Sequence, residues 1–175
     1  MKVIIIGKGP GWRNAPMEGE TWGVNDLILR RPVKLSFQIH DIDERIGNDP
    51  FDKTIERINR LGIPVITQKK HNLLPTAIPF PLDEMPIKYF TGSIAYIIAY
   101  AIYKKATEIE MYGVPLFLKE EYTEQRPCIE FWMGYAMGKG IKVDIHQPTV
   151  ILSSHPYVGL YGYTDYREQR KAARL

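Results

Sequence analysis

The stretch Met1-Lys2-Val3-Ile4-Ile5-Ile6-Gly7-Lys8-Gly9-Pro10-Gly11-Trp12 decides the fold. Val3 to Ile6 is an unbroken apolar, β-branched run. It fits a strand buried on both faces, as a parallel sheet requires. The run ends in three glycines and a proline. Glycine admits positive φ and lets a ligand approach the main chain. A buried strand opening into a glycine-rich turn is how doubly wound α/β domains build a phosphate or nucleotide site. A Gly-x-Gly pair also fits a tight turn that binds nothing, so the turn alone does not decide function.

Outward from this strand, strand and helix patterns alternate. Thr21–Asn25 reads as a strand and Asp26–Arg31 as one or two helical turns, stopped by Pro32. Val33–His40 alternates apolar and polar residues, the pattern of a strand with one wet face. Phe51, Ile55, Ile58 and Leu61 recur at helical spacing between Pro50 and a closing Gly62. Ile63–Ile66 is a further strand. Residues 68–88 are proline-rich and aperiodic, and read as a lid or binding loop that Phe80 helps to pack down. Ser93 stands as an N-cap for an apolar, buried helix over Ile94–Lys105. Thr107–Tyr112 is a strand, a helix runs from Pro127 to about Met137, and Ile141–Ile145 is the last clear strand. Asp165 can cap a final basic helix. This alternation predicts an α/β fold: a Rossmann-like, doubly wound, mostly parallel sheet with helices on both faces.

The 175 residues predict one domain, 1–175, with a sizeable core. A net charge of +3 is too small for a dedicated nucleic-acid binder, although Arg167, Arg170, Lys171 and Arg174 make the end locally basic. The single cysteine, Cys128, excludes an internal disulfide and a cysteine-cluster metal site. No apolar stretch is long enough for a membrane span, and Val3–Ile6 is too short for a signal peptide, so a cytoplasmic location is expected. Eleven tyrosines point either to a polar-aromatic pocket or to a tyrosine-rich core.

Ligands of open α/β sheets bind beyond the carboxyl ends of the strands. Those ends are Gly7-Lys8-Gly9, Asn25-Asp26, His40-Asp41 and Gly113, joined by the helix start at Gly92-Ser93. The glycine turn and the helix start both offer backbone N–H groups, and Lys8 and Arg13 add full charges, a combination suited to phosphate or carboxylate. Ser93 equally fits a plain helix cap. Asn25 can read a base or a sugar hydroxyl, or simply form an Asx-turn. Asp41 and Asp43 have the spacing to hold a divalent metal, and also fit a solvated loop. His40 can serve as a general base, or can be structural. Glu124 can act as a base and Arg126 can meet a ligand anion; the alternatives are a helix-dipole role and a surface ion pair. His71, His146 and His155 form no recognisable ligand spacing.

Three of these stretches also carry a resemblance. Val3–Pro10 resembles the opening strand and Gly-Asn-Gly-Pro-Ser turn of bacterial lipooligosaccharide sialyltransferases, and is similar to the related MptE-like family, which includes archaeal pterin diphosphokinases. Trp22–Asn25 resembles their second strand, which ends in asparagine. Ser93–Gly113, with Glu108-Ile109-Glu110-Met111-Tyr112-Gly113, resembles the family's serine-led helix and Lys-Glu-Ile-Tyr-Leu-x-Gly strand. Gln125-Arg126-Pro127 and Tyr161-Gly162-Tyr163 are similar to segments of small phage-encoded proteins. The resemblance covers about a third of the chain. It implies that Gly7, Gly9 and Asn25 line a cytidine-nucleotide or similar site, and that Ser93 contacts the donor's phosphate or acidic sugar. Lys8, Gly11 and Ile94 depart from the family's asparagine, serine and glycine, and the sialyltransferases' catalytic histidine has no counterpart.

Two functions are therefore expected. One is a nucleotide-sugar-dependent glycosyltransferase with His40 or Glu124 as base. The other is a non-catalytic nucleotide-binding or nucleotide-sequestering protein of phage type. In both, the partner is a nucleotide or nucleotide sugar.

Overall fold

A computed structural model describes residues 1–116, 121–146, 149 and 151–152. The expected final helix, with Asp165 and the basic residues 167–174, lies outside the described residues, as do His155 and Tyr161–Tyr163. Seven strands form one all-parallel sheet: β1 (Lys2–Ile6), β2 (Glu20–Val24), β3 (Leu35–Gln38), β4 (Val65–Thr67), β5 (Ala77–Pro79), β6 (Glu108–Tyr112) and β7 (Lys142–Ile145). Their spatial order is β5-β4-β3-β2-β1-β6-β7. The order reverses at β1, where β6 returns to the opposite side from β2, so the crevice beyond the ends of β1 and β6 is the topological switch point.

Each face of the sheet is covered, and β1 shows why its apolar run is continuous. Val3 and Ile5 enter the core beneath α2 (Ser93–Tyr103) and α3 (Arg126–Gly138). Ile4 and Ile6 enter the core beneath α1 (Asp49–Leu61) and the 3₁₀ turn Asn25–Leu29. Helix α1 shows a clean apolar stripe and ends at Gly62 with φ 62°, the left-handed cap its sequence predicts. Helix α2 is buried nearly all round, between the sheet and α3. Aromatic side chains fill much of this second layer: Phe90 stacks on Tyr96 at 4.2 Å and on Trp132 at 5.1 Å, with Phe80 edge-on to Tyr96 at 4.9 Å. Among the described residues, no helix is long and apolar enough to cross a membrane.

Three expectations need correction. The polar face of β3 is not wet: Ser36 and Gln38 are 1% and 3% exposed, and Gln38 is hydrogen-bonded to Asn25 at the start of the turn Asn25–Leu29. Alternation marks a solvated face only when nothing packs over it. Residues 68–88, aperiodic in sequence, are not all loop, because Ala77–Pro79 adds the edge strand β5. Proline is tolerated there because an edge strand need not donate on its outer side. Ser93 is not the N-cap of α2: Gly92 occupies that position, and Ser93 is the first helical residue.

The glycine turn owes its composition to this architecture. Gly7 N–H donates to Tyr112 O at 2.8 Å and Gly9 N–H to Gly113 O at 2.9 Å, so the β1 and β6 turns are zipped together. A Cβ on Gly7 would stand 2.3 Å from Gly113 O, a backbone atom. Gly7→Ala is therefore expected to lower stability by about 1–3 kcal/mol. Gly134→Ala, on the exposed face of α3 with nothing within 4 Å of the added Cβ, is expected to raise it by roughly 0.5–1 kcal/mol. Urea denaturation of the two variants measures both.

Candidate functional site

Beyond the ends of β1, β2, β3 and β6 lies a pocket of about 500 Å³, within the range of roughly 300–1,000 Å³ typical of small-molecule sites. Its walls are the β1 turn (Gly7–Pro10), the ends of β2 and β3 (Asn25, His40), the start of α2 (Thr91–Ile94), the β6 turn (Gly113–Leu116) and Gln125. The pocket thus brings together Gly7, Lys8, Gly9, Asn25, His40, Gly92, Ser93 and Gly113.

Each wall offers different chemistry. The amides of Gly7 and Gly9 are spent on the β6 turn, so the glycines shape the wall and do not bind an anion through those N–H groups. The amino end of α2, which also lines the pocket, offers backbone amides of another kind. The first amides of a helix have no intrahelical acceptor and carry the positive end of its dipole. Gly92, at φ −173°, is extended backbone; it is small because Gln125 packs against it, with Gln125 Oε1 2.9 Å from where a Cβ would be. Thr91 Oγ1 donates to Glu124 O at 2.8 Å and ties the turn Glu121–Gln125 to this end of α2.

Asn25 sits at φ 50°, in the left-handed region. Its Oδ1 is buried and has no hydrogen-bond partner among the described residues. A buried acceptor without a donor is uncommon and costs free energy. Lys8 reaches the pocket rim, but its ammonium pairs with Asp26 Oδ1 at 2.5 Å. Arg30 stands 3.6 Å from the other Asp26 oxygen. Burial opposes ionisation of Asp26, yet Lys8, with Arg30 behind it, holds its pKa below the ordinary value. His40 lines the rim; desolvation, then the charges of Arg45 and Lys8, lower its pKa, which favours the neutral imidazole at neutral pH. Lys8 and His40 are the titratable groups among the described lining residues, and none of those residues is a carboxylate.

The other expected residues lie elsewhere. Arg13 projects over the Trp12 ring at 4.7 Å and lines an adjoining groove with Lys8 and Asn14. The Glu124 side chain is exposed and outside the pocket lining, where its neighbour Gln125 stands instead. Arg126 forms an ion pair with Glu130 at 2.7 Å on α3. Residues 68–88 do not line the pocket. Asp41 and Asp43 are also off the pocket: Asp43 takes Lys69 at 3.1 Å and His71 at 3.0 Å, and Asp41 Oδ1 accepts the Asp43 N–H at 2.9 Å. A different set has metal-ligand proximity: one ligand atom each from Glu110 on β6, Asp144 on β7 and His146 just after β7, all within 4.8 Å of one another. Its carboxylates already pair with Lys2 at 2.7 Å and Lys142 at 2.6 Å.

No protein-family model matches the chain, and no curated protein matches it in sequence. Solved structures resemble its fold, among them these three. A point mutant of the α-2,3/8-sialyltransferase CstII aligns with a TM-score of 0.53 at 14% identity, over 83% of this chain and 81% of that one. CstII from Campylobacter jejuni in complex with cytidine-5'-monophosphate aligns at 0.52 and 16% identity, over 82% and 78%. The complex with CMP-3FNeuAc aligns at 0.53 and 15% identity, over 82% and 79%. The likeness is one of fold: the chain shares the Rossmann-like α/β architecture of these glycosyltransferases.

The electrostatics give a measurable consequence. The His40 pKa, followed by NMR, is expected below the ordinary histidine value in the free protein. A bound anion favours the imidazolium, so the pKa is expected to rise on anion binding. By linkage, affinity for the anion then increases as pH falls through the interval between the two values.

Proposed function

We propose that the chain binds a cytidine nucleotide or its sugar conjugate at the carboxyl edge of the sheet and acts as a nucleotide-sugar-dependent glycosyltransferase. The observation that carries this reading is the convergence of an anion-suited helix start and the buried, unpartnered Asn25 Oδ1 on one pocket at the switch point. The helix start and the Ser93 hydroxyl suit a phosphate. Asn25 Oδ1 calls for a donor, which a base amine or a ribose hydroxyl supplies. That the fold's neighbours were captured with CMP and CMP-3FNeuAc supports the choice of cytidine. Apolar walls from Val24, Ile94, Val114 and Leu116 suit the flat face of a base or sugar.

In the transfer step, the donor's sugar–phosphate bond breaks and the nucleotide leaves with the bonding electrons. The amino end of α2, with Lys8, stabilises the charge that gathers on the leaving phosphate. His40, neutral at physiological pH, accepts the proton of the attacking hydroxyl. Lys8 joins only when it releases Asp26, so that ion pair sets a threshold for anion binding.

The test is a thermal-shift screen with CMP, UDP, GDP, their sugars and cyclic nucleotides, followed by product analysis of each hit. Transfer or hydrolysis of a CMP-sugar supports the transferase. Tight binding with intact ligand supports the alternative, a nucleotide-sequestering protein, and absence of any nucleotide shift removes both. Ser93→Ala and Lys8→Ala are expected to weaken CMP binding about tenfold each, with the free protein's Tm within a few degrees of wild type. Asp26→Asn, which discharges the partner of Lys8, is expected to tighten CMP binding by several-fold in titration calorimetry.

A further inference from the structure

We infer that Gln38 is a positioning residue for this pocket: it holds the Asn25 backbone in the left-handed conformation that presents the Asn25 side chain to the ligand, while touching no ligand itself. The ligand arm of the inference rests on the nucleotide reading above; the conformational arm does not.

Gln38 ends β3, an interior strand flanked by β2 and β4. It is 3% exposed, among neighbours such as Phe37 and Ile39 that are buried and apolar. A primary amide in that place is unfavourable unless hydrogen-bonded. Its Nε2 makes two bonds, to Asn25 O at 2.8 Å and to Ser36 Oγ at 3.1 Å. Ser36, 1% exposed, is itself a polar residue on the same face of β3. Two successive inward polar positions of a parallel strand are thus linked to one carbonyl at the end of the adjacent strand, and Gln38 is not part of the pocket wall.

That carbonyl belongs to Asn25, at φ 50° between extended Val24 and the 3₁₀ turn. The left-handed region is disfavoured for a residue bearing a Cβ, and asparagine is only the least reluctant of them. Asn25 also carries the buried acceptor that has no partner among the described residues. A residue with an unfavourable backbone and an unmet side chain persists only when its surroundings over-determine it. The Gln38 bond supplies that constraint, since rotating Asn25 to negative φ would swing its carbonyl away from Nε2. Asn25 lines the pocket with its main chain held from below, and its buried Oδ1 becomes reachable when the side chain turns toward a ligand.

The probe is CMP, measured by calorimetry, beside crystal structures of the free proteins. Gln38→Met keeps the volume and loses the donor. In its crystal structure Asn25 is expected at negative φ with its side chain withdrawn from the pocket, and CMP affinity is expected to fall about tenfold, the worth of one lost hydrogen bond. Glycine adopts positive φ without help, and Asn25→Gly also removes the side chain. In that background Gln38→Met is expected to add no further loss. Should Gln38→Met not fold, Gln38→Glu enters the same comparison at a pH where its carboxylate is ionised. The inference is overturned if Asn25 keeps positive φ without the donor, or if the loss of affinity is the same in the Asn25→Gly background. If wild-type protein does not bind CMP, the nucleotide reading fails, and the position of Asn25 in the crystal structures still decides the role of Gln38.

Discussion

The backbone contact between the β1 and β6 turns is the constraint on which the pocket depends. Two N–H groups, from Gly7 and Gly9, point sideways into the carbonyls of Tyr112 and Gly113. The contact is possible only without side chains: a Cβ on Gly7, Gly9 or Gly113 would each meet backbone or proline atoms at 3.0 Å or less. Gly113 is further fixed at φ 68°, a conformation that favours glycine. The zipper extends the β1–β6 ladder past the last regular pair and closes the floor of the switch point. What remains open is the space between this floor, the ends of β2 and β3, and the start of α2.

This division of labour changes what a glycine-rich turn means here. In a phosphate loop the turn's own amides face the ligand. Here two of them are occupied by the protein. The positive end of α2 then becomes the principal source of unpaired amides in the pocket, and the glycines act as spacers that let the walls approach. A second clamp supports the arrangement from outside. Arg31, 6% exposed, donates to the carbonyls of Trp12, Ala15 and Pro16 at 3.2, 3.1 and 2.6 Å. Burial lowers its pKa somewhat; guanidinium's very high intrinsic pKa keeps it charged. It fixes the loop that carries the β1 turn toward β2.

Much of the architecture was legible because it depends on periodicity. A β-branched run such as Val3–Ile6, or an apolar stripe ending in a glycine such as Phe51–Gly62, specifies its element locally. The rule that ligands bind at strand ends named Gly7, Asn25, His40 and Ser93 from the strand boundaries alone, and the fold brings these four to one pocket. What stayed hidden depends on packing partners. Gln125 faces the pocket while Glu124 and Arg126 face away, and that phase follows from a five-residue π-type turn that no composition signals. The buried state of Ser36 and Gln38 follows from the turn at Asn25, whose packing is a tertiary fact. Asp43, which in sequence fits either a metal ligand or a solvated loop, pairs with Lys69 and His71, both from the segment after β4, and no local pattern announces those partners.

The charges around the pocket suggest how a site can remain anion-selective without a permanently exposed positive patch. Lys8 stands with its counter-charge already in place, and the burial of Asp26 makes that pair stronger than a fully exposed one. A neutral ligand gains nothing by breaking it. A phosphate competes for the same ammonium while also drawing on the α2 dipole, which needs no rearrangement to act. His40 adds to the contrast, because its lowered pKa leaves it uncharged until an anion arrives to favour protonation. The free pocket is therefore nearly neutral in side-chain charge, and on the proposed reading its preference for anions would reside in fixed backbone dipoles. On the proposed nucleotide reading such a site would discriminate by geometry: the ligand would have to reach the end of α2 and present a donor to Asn25 at once, which a diffuse basic surface would not require.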